Sequence, residues 1–143
     1  MIQQGLTDSF KQEMLQAGQN LATDTLKMAL YTALSDIGPE TTVYTTTNEI
    51  TGTGYTAGGV VMTGVTINTQ TTGPNKGTVF VDFNDVSWPG ADFTARGALI
   101  YNVTRSNKSV AVLDFGSDKT FTSTNNTVTM PANTATTALI RFP

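Results

Sequence analysis

From Thr25 onward the chain repeats every two residues, and that period restricts it to extended structure assembled into sheets. Leu26, Met28, Leu30 and Thr32 fall on one side of the first run, and Lys27, Ala29, Tyr31 and Ala33 on the other. Further strands are predicted over 60–68, 78–83, 98–103, 110–115, 127–130 and 138–142. Turn formers separate them: Thr72 to Gly77, Trp88-Pro89-Gly90, Arg105 to Lys108, Gly116-Ser117-Asp118 and Asn125-Asn126. The stretch 98–115 reads as a hairpin turning at Ser106-Asn107. No helical period interrupts the series, so the expected fold is mainly β: an antiparallel sandwich, jelly-roll-like, or a barrel. About a fifth of the chain is threonine, whose branched Cβ packs well on a pleated surface.

One helix precedes the strands. Leu6, Phe10, Met14, Ala17 and Leu21 recur at spacings of three and four and line one face. Ser9 with Gln12 matches a capping box, Thr7 and Asp8 are alternative N-caps, and Gly18 is the natural stop. Such a face serves either to cover the end of the chain's own core or to dock on a neighbouring subunit. With 143 residues the chain reads as one domain: a helix and lead-in over 1–21, then a β-domain over 25–143 with a long polar loop at about 35–59. A connection of that length inside a small domain has a function or holds short irregular strands of its own.

Composition narrows the chemistry. The chain contains neither histidine nor cysteine, the side chains that carry most proton shuttling, thiol chemistry and transition-metal binding. Net charge is −3 and only 13% of residues are charged, with eight Lys and Arg dispersed along the sequence. Nucleic-acid binding needs a clustered basic face, so none is expected. No apolar run reaches the length of a membrane span, and the first residues lack a basic start followed by an apolar stretch. Synthesis in a cytoplasm, no membrane partner and no cofactor or metal are the expectations.

The motifs that resemble sites fail on context. Gly52, Gly54, Gly58 and Gly59 lead into Val60-Val61, a strand, whereas a phosphate loop opens a helix. Asp82-Phe83-Asn84-Asp85, with Asp92 beyond, places oxygen donors together but lacks the turn glycine and bidentate glutamate of a calcium loop. Asp114-Phe115-Gly116 has none of the accompanying kinase motifs. Ser106 or Ser109 with Lys108 is formally a Ser–Lys dyad, but a turn is a poor place to desolvate a lysine. No enzyme is expected. Trp88, the single tryptophan, is either an interface anchor or a plug at one end of the core, flanked by Val86 and Phe93.

Several stretches taken in order resemble a family of small virion structural proteins of tailed bacteriophages: Thr25 to Thr32, Gly52 to Gly59, Ala95 to Asn102 and Ala111 to Lys119. The opening Phe10 to Leu15 resembles the usual start of these chains. The resemblance implies a structural gene product without catalytic residues, located in the virion. Within that class the expected role is capsid decoration, or cement, with the major capsid protein as partner and the chain itself as a symmetric homo-oligomer. The alternatives are a tail or head–tail connector component, and a glycan-binding module for host attachment. A cysteine-free fold suits a particle that assembles in a reducing cytoplasm and persists outside it. The candidate contact residues are Leu6, Phe10 and Met14 on a detachable N-terminal face, Tyr55 in the long loop, and Trp88. Tyr44, Tyr55 and Trp88 gathered at one exposed tip would favour glycan binding; buried rings would favour cement.

Overall fold

A computed structural model describes every residue from Met1 to Pro143. In chain order the elements are β1 (Gly5–Leu6), α1 (Asp8–Leu15), β2 (Leu26–Tyr31), β3 (Val60–Val61) and β4 (Thr66–Thr69). There follow β5 (Val79–Asp82), β6 (Val86–Ser87), β7 (Phe93–Asn102), β8 (Lys108–Phe121), β9 (Thr127–Val128) and β10 (Ile140–Phe142). All pairing is antiparallel. A five-stranded sheet runs β1-β8-β7-β2-β3, a three-stranded one β10-β5-β4, and β6 pairs with β9. The result is a mainly β, sandwich-like fold with one short N-terminal helix, as the two-residue period predicts.

The inner face of the large sheet carries Met28, Leu30, Ala98 and Ile100, which share a buried cluster with Val81 and Ile140 of the small sheet and Val86 and Val128 of the two-stranded one. Trp88 and Phe121 meet edge to face in this cluster, and Phe93 stacks on Phe121. The opposite face is not left to solvent. Ala29, Tyr31, Leu99, Tyr101 and Val112 form a second buried cluster with Ile2 and Ile37, and Tyr44 packs against it. Both faces of β2 are therefore buried, and the polar 35–59 segment is the layer that covers the second one. A bridge between Val43 and Lys108 and the bond from Tyr44 N–H to the Asn107 carbonyl hold that layer to the hairpin end.

The same segment closes the edge of β2. Thr32 N–H donates to the Asn48 carbonyl and Ile50 N–H to the Leu30 carbonyl, both at 2.9 Å. Gly59 then brings the chain so close to β2 that a Cβ there would sit 1.8 Å from the Met28 carbonyl oxygen, and its φ of +73° also favours glycine. What reads as a phosphate-loop glycine is a backbone-to-backbone contact.

The structure corrects several expected boundaries. The strand predicted over 60–68 is two strands in different sheets, parted at Gly64. There φ is +66° and a Cβ would collide with Asn84, so period two continues in sequence across a break in the backbone path. Gly116-Ser117-Asp118 is not a turn. It lies within β8 where the pairing register shifts, so the strand carries on to Phe121 against a β7 that starts at Phe93. The hairpin turn does fall at Ser106 and Asn107, both with positive φ. Helix α1 is capped by Thr7, one of the alternatives, so Ser9 lies inside its first turn and forms no capping box. The helix ends earlier than expected, at Leu15, and Ala17 rather than Gly18 takes the left-handed conformation, with φ of 55°. Leu6 precedes the helix and belongs to β1, paired with Ala111.

Candidate docking surface

Helix α1 is built into the domain at its start and leaves its last turn in solvent. Thr7 is the N-cap; its hydroxyl accepts from the Phe10 amide, and its own N–H donates to the Val110 carbonyl. Phe10 is wholly buried in the main core. Eight residues give barely two turns, so only this one helical side chain reaches the core while Leu15 is 92% exposed and Met14 37%.

Those two side chains form one wall of an apolar groove of about 570 Å³. Leu21, Val79 and Phe142 line it, and Ile67 of β4, itself 49% exposed, forms the far rim. All four residues of β4 are exposed, and the strand pairs with β5 on one side only. The Gln70 amide donates to the Thr78 carbonyl, which fixes the parity of the ladder: Thr66 and Asn68 bond inward to β5, and Ile67 and Thr69 direct their backbone groups outward. The groove thus has an apolar floor and an open strand edge beside it.

A buried polar hub braces the end of the groove. The Asp24 carboxylate, 3% exposed, accepts from Arg105 Nε at 2.8 Å, from Asn102 Nδ2 at 2.8 Å and from the Asn20 amide at 2.9 Å. The Arg105 guanidinium foremost, with the Asn20 and Asn102 donors, holds the Asp24 carboxyl at a pKa of about 2. Gln19 links this hub to Glu13 at the helix end, and Glu13 pairs with Lys108 at 2.8 Å. The exposed end of α1 is thereby fixed relative to the β7–β8 hairpin.

A second cluster sits on the far side of β2. The Glu49 carboxylate, in a residue only 8% exposed, accepts from Tyr44 Oη at 2.6 Å, Tyr55 Oη at 2.7 Å and the Gly58 amide at 2.7 Å. Tyr55 Oη in turn accepts from the Leu30 amide, and Tyr101 Oη donates to the Gly58 carbonyl. Burial first, and then the adjacent Glu49 carboxylate, raises the phenol pKa values of Tyr31, Tyr44, Tyr55 and Tyr101 above their ordinary value. The phenols stay protonated and donate, so the cluster is a clasp for the 35–59 layer. The sequence did not single out Glu49; the one acid standing between Tyr44 and Tyr55 is the signal that could have found it.

The expected contact residues are not brought together. Phe10 and Trp88, the latter 1% exposed, are core side chains and offer no interface. Tyr55 is partly buried, edge-on to Phe93, with its hydroxyl consumed by the clasp. Leu6 lines a separate cleft of about 350 Å³ beside β8. Only Met14 reaches the groove, so the N-terminal face is not detachable: β1 pairs in the large sheet and Phe10 is in the core. Tyr44 stacks on Tyr101 with ring centroids 4.6 Å apart, so Tyr44, Tyr55 and Trp88 do not share an exposed tip. Ser109 is buried, its hydroxyl lying 2.6 Å from the Thr41 carbonyl and 2.9 Å from Thr7 Oγ1, while Lys108 points to Glu13, which separates the formal dyad. Asp85 accepts from the Met130 amide, and nowhere do three or more acidic side chains converge.

No protein-family model, curated protein or solved structure was found to match this chain.

Proposed function

We propose that this chain is a non-enzymatic structural protein of a bacteriophage virion that decorates the outside of the assembled head and binds the major capsid protein. The observation that carries the reading is the groove formed by Met14, Leu15 and Ile67: an exposed apolar surface on a braced framework, away from any cluster of reactive groups. The resemblance over Thr25 to Thr32, Gly52 to Gly59, Ala95 to Asn102 and Ala111 to Lys119 supports the virion class. Those stretches include β2, most of β7 and most of β8, along with the loop that clasps β2. The buried or stacked positions of Trp88, Tyr44 and Tyr55 favour packing roles over a sugar-binding platform.

A small domain gains hold on a lattice by several modest contacts acting together. Particles assembled without the chain should therefore form but release their genome at a lower temperature, and adding the purified protein back should restore the release temperature. Unchanged heat resistance together with lost adsorption to host cells would replace decoration by attachment.

A further inference from the structure

We infer that two copies of this chain associate through β4, edge to edge and antiparallel, joining their three-stranded sheets into one of six strands about a two-fold axis at Asn68. The first observation is the open ladder. Ile67 and Thr69 each present an N–H and a C=O away from β5, and the strand is exposed along its whole length. Such an edge is a template for another strand.

The second observation is that nothing guards it. β1, β3, β6 and β9 are two residues long. The free side of β8 beyond Val112 carries Asp114, Asp118 and Lys119 and an irregular register, and β10 holds Arg141 and is followed by Pro143. β4 has neither charge, proline nor bulge, and no charged residue lies between Glu49 and Lys76. An uncharged edge faces its own copy without like-charge repulsion, which is the complementarity a two-fold contact requires.

The third observation is self-complementary register. With Asn68 on the axis, Ile67 of one copy lies opposite Thr69 of the other and the two pairs exchange four backbone hydrogen bonds. Ile67 and Thr69 share the groove face, so the two apolar grooves come to lie on the same side of the joined sheet, with Met14 and Leu15 of each copy beside the contact. The dimer gives form to the homo-oligomer that the sequence resemblance implies for a decoration protein, and to that extent rests on the proposed reading. Its test reads self-association alone, so its failure leaves the particle experiments to decide the virion role.

The experiment uses the full-length chain. Sedimentation velocity should give a species of twice the 15.2 kDa chain mass. Ile67→Lys, at a half-exposed site, should weaken the dimer on the order of a hundredfold by placing like charges together, with the circular dichroism spectrum unchanged. Leu34→Lys, at another exposed apolar residue outside the groove, should not. Because the natural chain has no cysteine, Asn68→Cys supplies a single thiol. The axis pair is not hydrogen-bonded, so its Cα atoms lie about 4.5 Å apart, within disulfide range. Mild oxidation should then give a covalent dimer in high yield, abolished by adding Ile67→Lys. A monomer at all concentrations, or a dimer indifferent to Ile67→Lys that gives no Asn68→Cys cross-link, overturns the inference. In that case the edge pairs with a strand of another protein or with none.

Discussion

Replacing Glu49 separates the role of the clasp from the bulk of the loop it holds. Its carboxylate accepts three hydrogen bonds of 2.6–2.7 Å, two of them from the phenols of Tyr44 and Tyr55. A hydrogen bond to a charged group contributes roughly 1.5–3 kcal/mol net. Three would suggest more than is realistic, because Tyr44 is half-buried and water can replace part of what is lost. Glu49→Ala should therefore cost about 3–4 kcal/mol, leaving the Gly58 amide and two hydroxyls without their acceptor. Glu49→Gln keeps an oxygen for Tyr55 and Gly58, and the Tyr44 hydroxyl can turn to accept from the new amide. It loses only the charge, for about 1 kcal/mol. In a domain of this size these values correspond to roughly 10 °C and 3 °C in melting temperature. Urea denaturation gives the free energies, and limited proteolysis of the 35–59 segment reports whether the loss is local: cleavage should rise sharply in Glu49→Ala and little in Glu49→Gln. If alanine costs under about 1 kcal/mol, or glutamine costs as much as alanine, the clasp does not hold the layer.

Two further outcomes follow from particular contacts. The Asp24 pKa is lowered from 3.8 to about 2 in the fold, so its contribution is fully present above the unfolded value and is lost as pH falls through that interval. With Arg105 partly in solvent the amount is about 1–2 kcal/mol; the stability gap between the natural chain and Asp24→Asn should close between pH 4 and 2, and a gap constant with pH would refute the assignment. Gly59→Ala should destabilise by several kcal/mol, on the order of 3 or more, because backbone at Met28 cannot yield as a side chain would; a melting temperature within a degree or two of the natural chain would show that β3 is not pressed against β2.

Local pattern and tertiary context contributed differently to what the sequence reveals. β2, the β7–β8 hairpin and its Ser106-Asn107 turn are legible because alternation and turn chemistry act over a few residues. Gly64 and Gly116 misled in opposite directions: each is a glycine at positive φ, but one lies in the link between two strands and the other is carried inside one. A side chain at the first would meet Asn84, whereas the second stands in open space, and neither surrounding can be read from the local sequence. The helix face Leu6, Phe10, Met14 looked continuous because spacing cannot register that Leu6 is already paired with β8. The docking groove was half visible, through Met14. Ile67 and Leu15 were not, since their exposure depends on β4 being an edge and α1 being short.

The number of copies of this chain in purified particles, measured by quantitative mass spectrometry against the major capsid protein, tests the proposed role most directly. A decoration protein distributed over the shell should be present at a copy number comparable with that of the capsid protein, and should be released when the shell dissociates. A count smaller by one to two orders of magnitude would assign the chain to a connector or tail, and its absence from the particle would contradict a virion role altogether.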